Sequence, residues 1–498
     1  MKTFFLQLLL LIFCNAIQAQ VVRNNSFESG RDSANSLPLD WNYTALKIAS
    51  VSIDSKHAVT GKKSLKMVVQ DSTNFSYTVS QKIDINNATL KRIHITAWIK
   101  TVDCNAGVAL LCTQKNEQDN KIDYTSTRQQ DRLVKGSKEF TKTTLIVLVR
   151  PETQKLEIAL CLYGSGTAWF DDIQIEEFNP GNKKTAASVK LYLDSLKKLV
   201  KNNSLYNDSI NWKVFDKQLK ILSTGMQSFT EAQLLANYII YELKKYGDNH
   251  SMFMVPFAAM ELKNGDIMDD GRKVVTEYLG NGIGYISMPG FGTFKDSLCA
   301  VFATYAQNQI KKIDIENKIC AWVVDLREDN GGNCSAMVAG LGPILGDGIT
   351  SWELSPKKDT IRYGYQNGKY YFEEKGKKEW TSTVDNPYYL KNKNVAIAVL
   401  TGPGCGSSGE CAVAAFIGKA NTKLFGQPTA GFTKGNTDFS LPDGSIILIS
   451  SGIQTDRNGK KYPERIFPDV QVDESSDDKI DLPLERAKQW LLTSADCK

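Results

Sequence analysis

Two adjacent serines, Ser407 and Ser408, stand between glycines in GPGCGSSGECAVAAF, residues 402–416. The apolar run NVAIAVLT leads into this stretch, and an alanine-rich, helix-prone segment leaves it. A serine on a tight glycine-rich turn between a buried strand and a helix is exposed at the strand's carboxyl end. The N–H groups that follow it then point toward whatever it attacks, a geometry suited to acyl transfer. The spacing GCGSSGE is not GxSxG, and taken alone a turn that merely needs small residues accounts for it equally well.

A serine hydroxyl is a weak nucleophile at neutral pH and needs a base. Only three histidines exist in the chain: His57, His94 and His250. The first two fall among short alternating strands and read as structural or surface groups. His250 sits in GDNHSMF at the end of a helical segment, a loop of the kind where catalytic groups concentrate. A third feature is DLREDNGGN, residues 325–333, where the strand ICAWVVDL runs into Gly331 and Gly332. Consecutive glycine N–H groups at such a turn can converge on a developing oxyanion, although a glycine turn that only opens a helix has the same sequence.

The elements that must position these groups fall into two patterns. From Val21 to about Phe178 seven apolar-alternating segments recur between turns: SLKMVVQ, FSYTVSQKIDI, RIHITAWIK, GVALLCTQ, TTLIVLVR, LEIALCLYG and AWFDDIQIEEF. This spacing predicts an antiparallel β-sandwich over residues 20–178. NPGNKKTAAS, residues 179–188, reads as a linker. The period then changes: Val189, Leu193, Leu196 and Val200 share one helical face, and a second helix follows at TEAQLLANYIIYELKKYG, capped by Thr230 with Gln233. These mark a helical subdomain over residues 189–250. Beyond it, uniformly apolar strands alternate with helices over 251–498, which predicts an α/β core with a largely buried sheet. A hairpin turning at Asp443-Gly444 is expected in TDFSLPDGSIILISSGIQT.

Composition narrows the function. A chain of 498 residues with 42% hydrophobic and 23% charged residues is an ordinary globular protein of two or three domains. A formal charge of only +5, without a basic block, gives nucleic-acid binding little support. The opening MKTFFLQLLLLIFCNAIQAQ has the order of a secretory signal peptide, residues 1–19, with cleavage expected after Ala19. No later run reaches the ~18–20 apolar residues of a membrane helix, so an exported protein without a membrane span is expected. Removing Cys14 leaves an odd number of cysteines, so at least one thiol is unpaired within the chain. Cys320 in ICAWVVDL and Cys299 in SLCAVF read as small buried hydrophobes, and nothing resembles a zinc site.

In order, the motifs DNHS, GYISMPGF, DLREDNGG, GPGCGSSGE, FGQPTAG and PERIFPDV resemble the C-terminal processing, or tail-specific, serine peptidases. The similarity is greatest to the branch with the tricorn core and the nisin-resistance proteins. It covers roughly residues 185–490 and implies a ClpP/crotonase-like spiral fold preceded by a helical subdomain. By the family's S-x-x-E motif, Ser407 is implied as nucleophile and Glu410 as the acidic residue. Ser408 then lends a backbone N–H to the oxyanion hole, together with Gly331 or Gly332. Many relatives place a lysine base in an FGKG motif, but this chain reads Phe425-Gly426-Gln427-Pro428. The histidine-using branch places its base in a loop like GDNHS, which makes His250 the general base, with Lys434 as the fallback. The tricorn-type arrangement implies Ser251 or Glu464 as the group that orients the imidazole. A PDZ domain does not fit between His250 and Gly282, which puts that device for recognising free C-termini in doubt.

The N-terminal sandwich resembles the galactose-binding-like jelly rolls that include many carbohydrate-binding modules, on VVRNNSFESG, LPLDWN and AWFDDIQIEEF. That resemblance implies a structural calcium ion held by Glu28 and Asp172, since oxygen ligands suit this cation. It also implies a glycan partner stacked on Trp41, Tyr43 or Trp98, although Trp98 in ITAWIK reads rather as core. The expectation for the whole chain is an exported serine peptidase acting on a peptide or protein, with no cofactor needed for catalysis. The alternative is a non-catalytic ligand- or glycan-binding surface protein on the same fold.

Overall fold

The computed structural model describes residues 22–30, 38–70, 76–85, 89–264, 272–356, 359–475, 477 and 479–493. The expected signal peptide, residues 1–19, lies outside the described residues. Among the described residues no helix is long and apolar enough to cross a membrane. The chain divides into two compact units, residues up to 186 with 219–234, and residues 187–218 with 235–498.

The first unit is the antiparallel sandwich. Its centre is one 25-residue strand, Lys91–Lys115, where the sequence predicted two separate strands. The first half pairs with Val134–Val149 and Gly166–Glu177, and the second with Lys155–Tyr163 and Lys121–Ser126. Asp103 (φ 57°) and Gly107 (φ 101°) bend the chain between the halves without ending the strand. Register slips there, and the ladder resumes on the other layer. Ile95, Ala97, Ile99, Leu110 and Cys112 from this strand lie in the apolar core. Trp41 is buried against Phe27, its indole N–H donating to the Asn24 carbonyl, so it is core rather than a stacking surface for sugar. Trp98 is the reverse case: the sequence favoured core, but it is half-buried, on the face opposite Ala97 and Ile99.

The implied calcium ligands, Glu28 and Asp172, each accept hydrogen bonds from within the chain on one oxygen. Glu28 Oε1 accepts the N–H groups of Lys62 and Lys63, and Asp172 Oδ1 accepts the Gln174 amide. The acid the fold buries is Asp171, whose two oxygens take the N–H groups of Val59, Thr60 and Asp172 and the Thr60 hydroxyl. Donors thus occupy both oxygens of Asp171 and one oxygen each of Glu28 and Asp172, and among the described residues no group of three or more metal-ligating side chains occurs.

The second unit begins with helix Ala187–Asn203, which buries Val189, Leu193, Leu196 and Val200 as the periodicity predicts. The sequence missed the helix Trp212–Leu222. Helix Phe229–Lys244 spans the division between the units; Ser228, not Thr230, caps it, through the Glu231 N–H.

The α/β core carries a six-stranded sheet in the order Val275–Tyr278, Ile283–Ser287, Ala321–Asp325, Ala396–Thr401, Thr422–Gly426, Val470–Gln471. The first pair is antiparallel and the rest parallel. Every residue of Ala321–Asp325 and Ala396–Thr401 is buried, because helices cover both faces. Asp296–Glu316, Cys334–Gly340 and Ser408–Phe416 lie on one side, and Leu482–Leu491 on the other. A second, antiparallel sheet holds Met252–Met254, Gly348–Leu354, Thr360–Gln366, Lys369–Glu374, Lys377–Thr383, Lys434–Ser440 and Ile446–Asp456. The expected hairpin at Asp443-Gly444 joins the last two. Strands Ala321–Asp325 and Ala396–Thr401 run parallel in register, so the glycine turns that follow them emerge side by side at one sheet edge.

Candidate active site

Ser407 occupies the turn between Ala396–Thr401 and helix Ser408–Phe416, with φ 55° and ψ −118°. A non-glycine residue in such a conformation persists only when its surroundings hold it there. Glu410 supplies much of that hold. It is fully buried, and its carboxyl accepts the N–H groups of Ser407 (3.0 Å), Gly431 (2.9 Å) and Phe432 (2.6 Å) and the Thr429 hydroxyl. Burial pushes this carboxyl above its usual range, and the four donors pull it back. The Glu410 carboxyl therefore welds the serine turn to the 429–432 segment.

That segment leads into Lys434–Ser440, against which His250 is set. His250 Nε2 lies 2.8 Å from Ser407 Oγ, and Nδ1 lies 2.6 Å from the Lys434 carbonyl oxygen. A carbonyl only accepts, so Nδ1 carries the ring proton and Nε2 presents its lone pair to the serine O–H. Burial holds the imidazole below its ordinary pKa and so keeps it neutral. The loop is fixed by Asp248, buried, whose Oδ1 accepts the N–H groups of His250 (3.1 Å) and Ser251 (2.9 Å) and the Ser450 hydroxyl. Asn436 donates to the His250 carbonyl at 3.0 Å.

Neither residue expected to orient the imidazole does so. Ser251 Oγ donates to Asp248 Oδ2 at 2.6 Å, and Glu464 is an exposed side chain on a neighbouring loop. Lys434 Nζ points the other way, 3.2 Å from Asn249 Oδ1, and lines a cavity of about 510 Å³ with Lys244, Glu464 and Arg465. Its contribution to the dyad is its main-chain oxygen.

The glycine pair meets the serine turn directly. A Cβ on Gly331 would lie 2.9 Å from Ser407 Cβ and from the Gly406 oxygen, and Gly331 has φ 106°, so only glycine fits. The Gly331 N–H is used by Asp329 Oδ1 at 3.1 Å. Among the described residues the N–H groups of Gly332 and Ser408 have no partner, and Ser408 Oγ donates to the Gly332 oxygen at 2.7 Å. Of the expected alternatives, Gly332 is thus the donor left free beside Ser408. Asp329 is fully buried, with Oδ2 unpartnered, and burial pushes its carboxyl up to about 7. Arg327, beyond the same strand, grips Asp325 and Asp481 and ties the turn to the helix Leu482–Leu491.

Cysteines complete the site. Cys334 and Cys411 form a disulfide, and Cys320 is also disulfide-bonded, against the reading of Cys320 as a free buried hydrophobe. Cys299 is free and buried, as expected.

A family model matches this chain from just before the strand Ile283–Ser287 to just after Val470. Residues 282–472 match the model of peptidase family S41. Ser407 and the glycine pair lie inside the matched region, and His250 lies in the segment that precedes it. The nisin-resistance protein of Lactococcus lactis subsp. lactis is 31% identical over 221 residues, which is 43% of this chain and 65% of that protein's length. A lipoprotein from Streptococcus agalactiae matches 61% of this chain and 96% of its own at 24% identity, with a TM-score of 0.47. A structure of TmCBM61 in complex with β-1,4-galactotriose matches 32% of this chain and 99% of its own at 16% identity, with a TM-score of 0.23.

Three features of the site escaped sequence reasoning. The orienting group is a main-chain oxygen, which leaves no mark in residue type. Asp248 went unread, although an Asp two residues before a loop histidine is a signal for an Asx turn. The disulfide spans 77 residues and carries no local signal.

Proposed function

We propose that this chain is an exported serine peptidase that hydrolyses polypeptides with a Ser407–His250 dyad. The observation that carries the reading is the chain of contacts Ser407 Oγ, His250 Nε2, His250 Nδ1, Lys434 oxygen, at 2.8 and 2.6 Å. A neutral imidazole with its free lone pair on the serine hydroxyl is a general base already in place. Ser407 Oγ attacks the peptide carbonyl as its proton passes to Nε2. The oxyanion takes hydrogen bonds from the Ser408 and Gly332 N–H groups. The imidazolium, steadied by the Lys434 carbonyl, returns the proton to the leaving amine, and water then hydrolyses the acyl-enzyme by the same route reversed. Lys434 enters through its backbone, so the fallback of a lysine base is not needed.

A serine-reactive fluorophosphonate probe tests the reading. The native protein should be labelled at Ser407, and Ser407→Ala should be unlabelled and unable to hydrolyse unfolded casein. Absence of labelling on the native protein would favour a ligand-binding protein that keeps the fold without the chemistry.

A further inference from the structure

The two halves of the oxyanion site come from segments far apart in sequence. Gly332 ends the turn after Ala321–Asp325, and Cys334 follows two residues later as the first residue of helix Cys334–Gly340. Ser408 opens helix Ser408–Phe416, and Cys411 lies three residues on, in its first turn. The Cys334–Cys411 bond joins these helix starts, with Cα atoms 6.2 Å apart. Among the described residues, the Leu326 N–H donates to the Leu400 oxygen at 3.0 Å where the strands end, and beyond that two hydrogen bonds run between the turns: Ser408 Oγ to the Gly332 oxygen at 2.7 Å, and the Gly406 N–H to the Asp329 oxygen at 2.9 Å. Neither involves the two N–H groups that face the oxyanion. Their separation follows where the helix starts sit; the helices share one buried core, and the covalent bond ties their starts directly.

We propose that the Cys334–Cys411 disulfide is the positioning element of the oxyanion hole, so that its reduction slows acylation of Ser407 without dismantling the Ser407–His250 pair. The inference rests on the dyad reading above. In the reducing step a dithiol gives two electrons and two protons: the Sγ–Sγ bond breaks, two cysteine thiols form, and the reagent closes to its own disulfide. The site suits such a reagent, because Cys334 and Cys411 are both half-buried. The free cysteines among the described residues, including Cys405 beside the serine, are all buried. His250 is held by Asp248, Asn436 and the Lys434 carbonyl, none of which depends on either cysteine.

A fluorophosphonate probe reads this directly, because its phosphoryl oxygen must occupy the oxyanion site as Ser407 attacks. Labelling rate and final stoichiometry are measured on the oxidised protein, on the protein treated with dithiothreitol, and on the double variant Cys334→Ser/Cys411→Ser with and without dithiothreitol. Removing one oxyanion donor outright costs about 10²–10³ in rate. Loosening a pair should slow labelling about tenfold or more, with one label per chain still reached. On casein, kcat should fall while KM and the pH midpoint set by His250 stay put. The double variant should match the reduced protein and ignore dithiothreitol. Equal rates for oxidised and reduced protein would overturn the inference, as would further slowing of the double variant by dithiothreitol, which would assign the effect to the Cys320 disulfide. A fall in final stoichiometry in step with the rate would also overturn it, because the bond would then be holding the fold and not the hole. An oxidised native protein that takes no label overturns both this inference and the dyad reading.

Discussion

Asp329→Asn isolates the cost of a buried carboxyl in the site that has one oxygen without a donor. Asp329 is fully buried and receives the Gly331 N–H on one oxygen, while the other has no partner. Burial carries its pKa from 3.8 to about 7, outweighing the Gly331 N–H and Arg272, which pull it down. In the unfolded chain the proton leaves near pH 4; in the folded protein it stays until near neutrality. The favourable contribution is therefore complete at low pH and is lost as pH rises through about 7. A shift of about 3 units, at ~1.4 kcal/mol each, makes the loss on the order of 4 kcal/mol. Asparagine keeps an oxygen for the Gly331 N–H and does not titrate. Its unpaired amide N–H groups add a penalty of about 1–3 kcal/mol, but one independent of pH. The prediction thus concerns slopes: the variant should gain on the wild type by about 4 kcal/mol between pH 4 and pH 8, mostly between 4 and 7. Calorimetry of the unfolding transition that contains the peptidase unit measures it, since a domain of this size moves by roughly 2–4 °C per kcal/mol. Parallel melting temperatures across that range would refute the reasoning, because they would mean that the carboxyl finds solvent or a donor when it ionises.

The remaining predictions concern the dyad and its frame. His250→Ala should lower kcat/KM on casein by at least about a thousandfold, whereas Lys434→Met, which keeps the main-chain oxygen, should stay within about tenfold; the reverse order would make lysine the base. Because burial lowers the His250 pKa from 6.5, activity should hold down to pH 6.5 and fall with a single-proton slope below it, as imidazolium forms; a pH–rate profile for kcat/KM checks this. Glu410→Gln places an amide donor against backbone N–H donors and should destabilise the peptidase unit by about 1–3 kcal/mol, read by denaturant unfolding. Gly331→Ala forces a Cβ to within 2.9 Å of Ser407 Cβ at a positive φ and should reduce labelling of Ser407 by about a hundredfold or more.

The parts of the molecule that were legible in the sequence share a cause. AWVVD and AIAVLT read as buried strands because a parallel sheet covered on both faces demands uninterrupted apolar residues. Gly331 and the serine turn stood out because tight approach leaves no choice of residue type. What stayed hidden depends on partners distant in sequence or on atoms common to every residue. The strands Gly348–Leu354 through Lys377–Thr383 form a meander with polar, half-exposed faces and little alternation. The helix Trp212–Leu222 went unread although Asn211 caps it, its Oδ1 accepting the Val214 N–H at 3.3 Å. The imidazole's partner is a carbonyl, and the implied roles of Ser251 and Glu464 failed because that carbonyl already occupies Nδ1. In the sandwich, Asp103 and Gly107 looked like a turn because local sequence cannot distinguish a chain that reverses from one that bends and goes on.

That bent strand sets the order in which the N-terminal unit can be made. Lys91–Lys115 draws its neighbours from segments ending at residues 126, 149, 163 and 177, and Ser64–Val69 pairs with Gly166–Glu177. A chain emerging from the ribosome, or from an export channel, has half of its central ladder unpaired until the last of these segments appears. The sandwich is then committed to one late, concerted closure rather than hairpin-by-hairpin growth. A truncation that stops short of Glu177 should leave its whole upstream length without a stable core, exposed to proteolysis from the first strand onward.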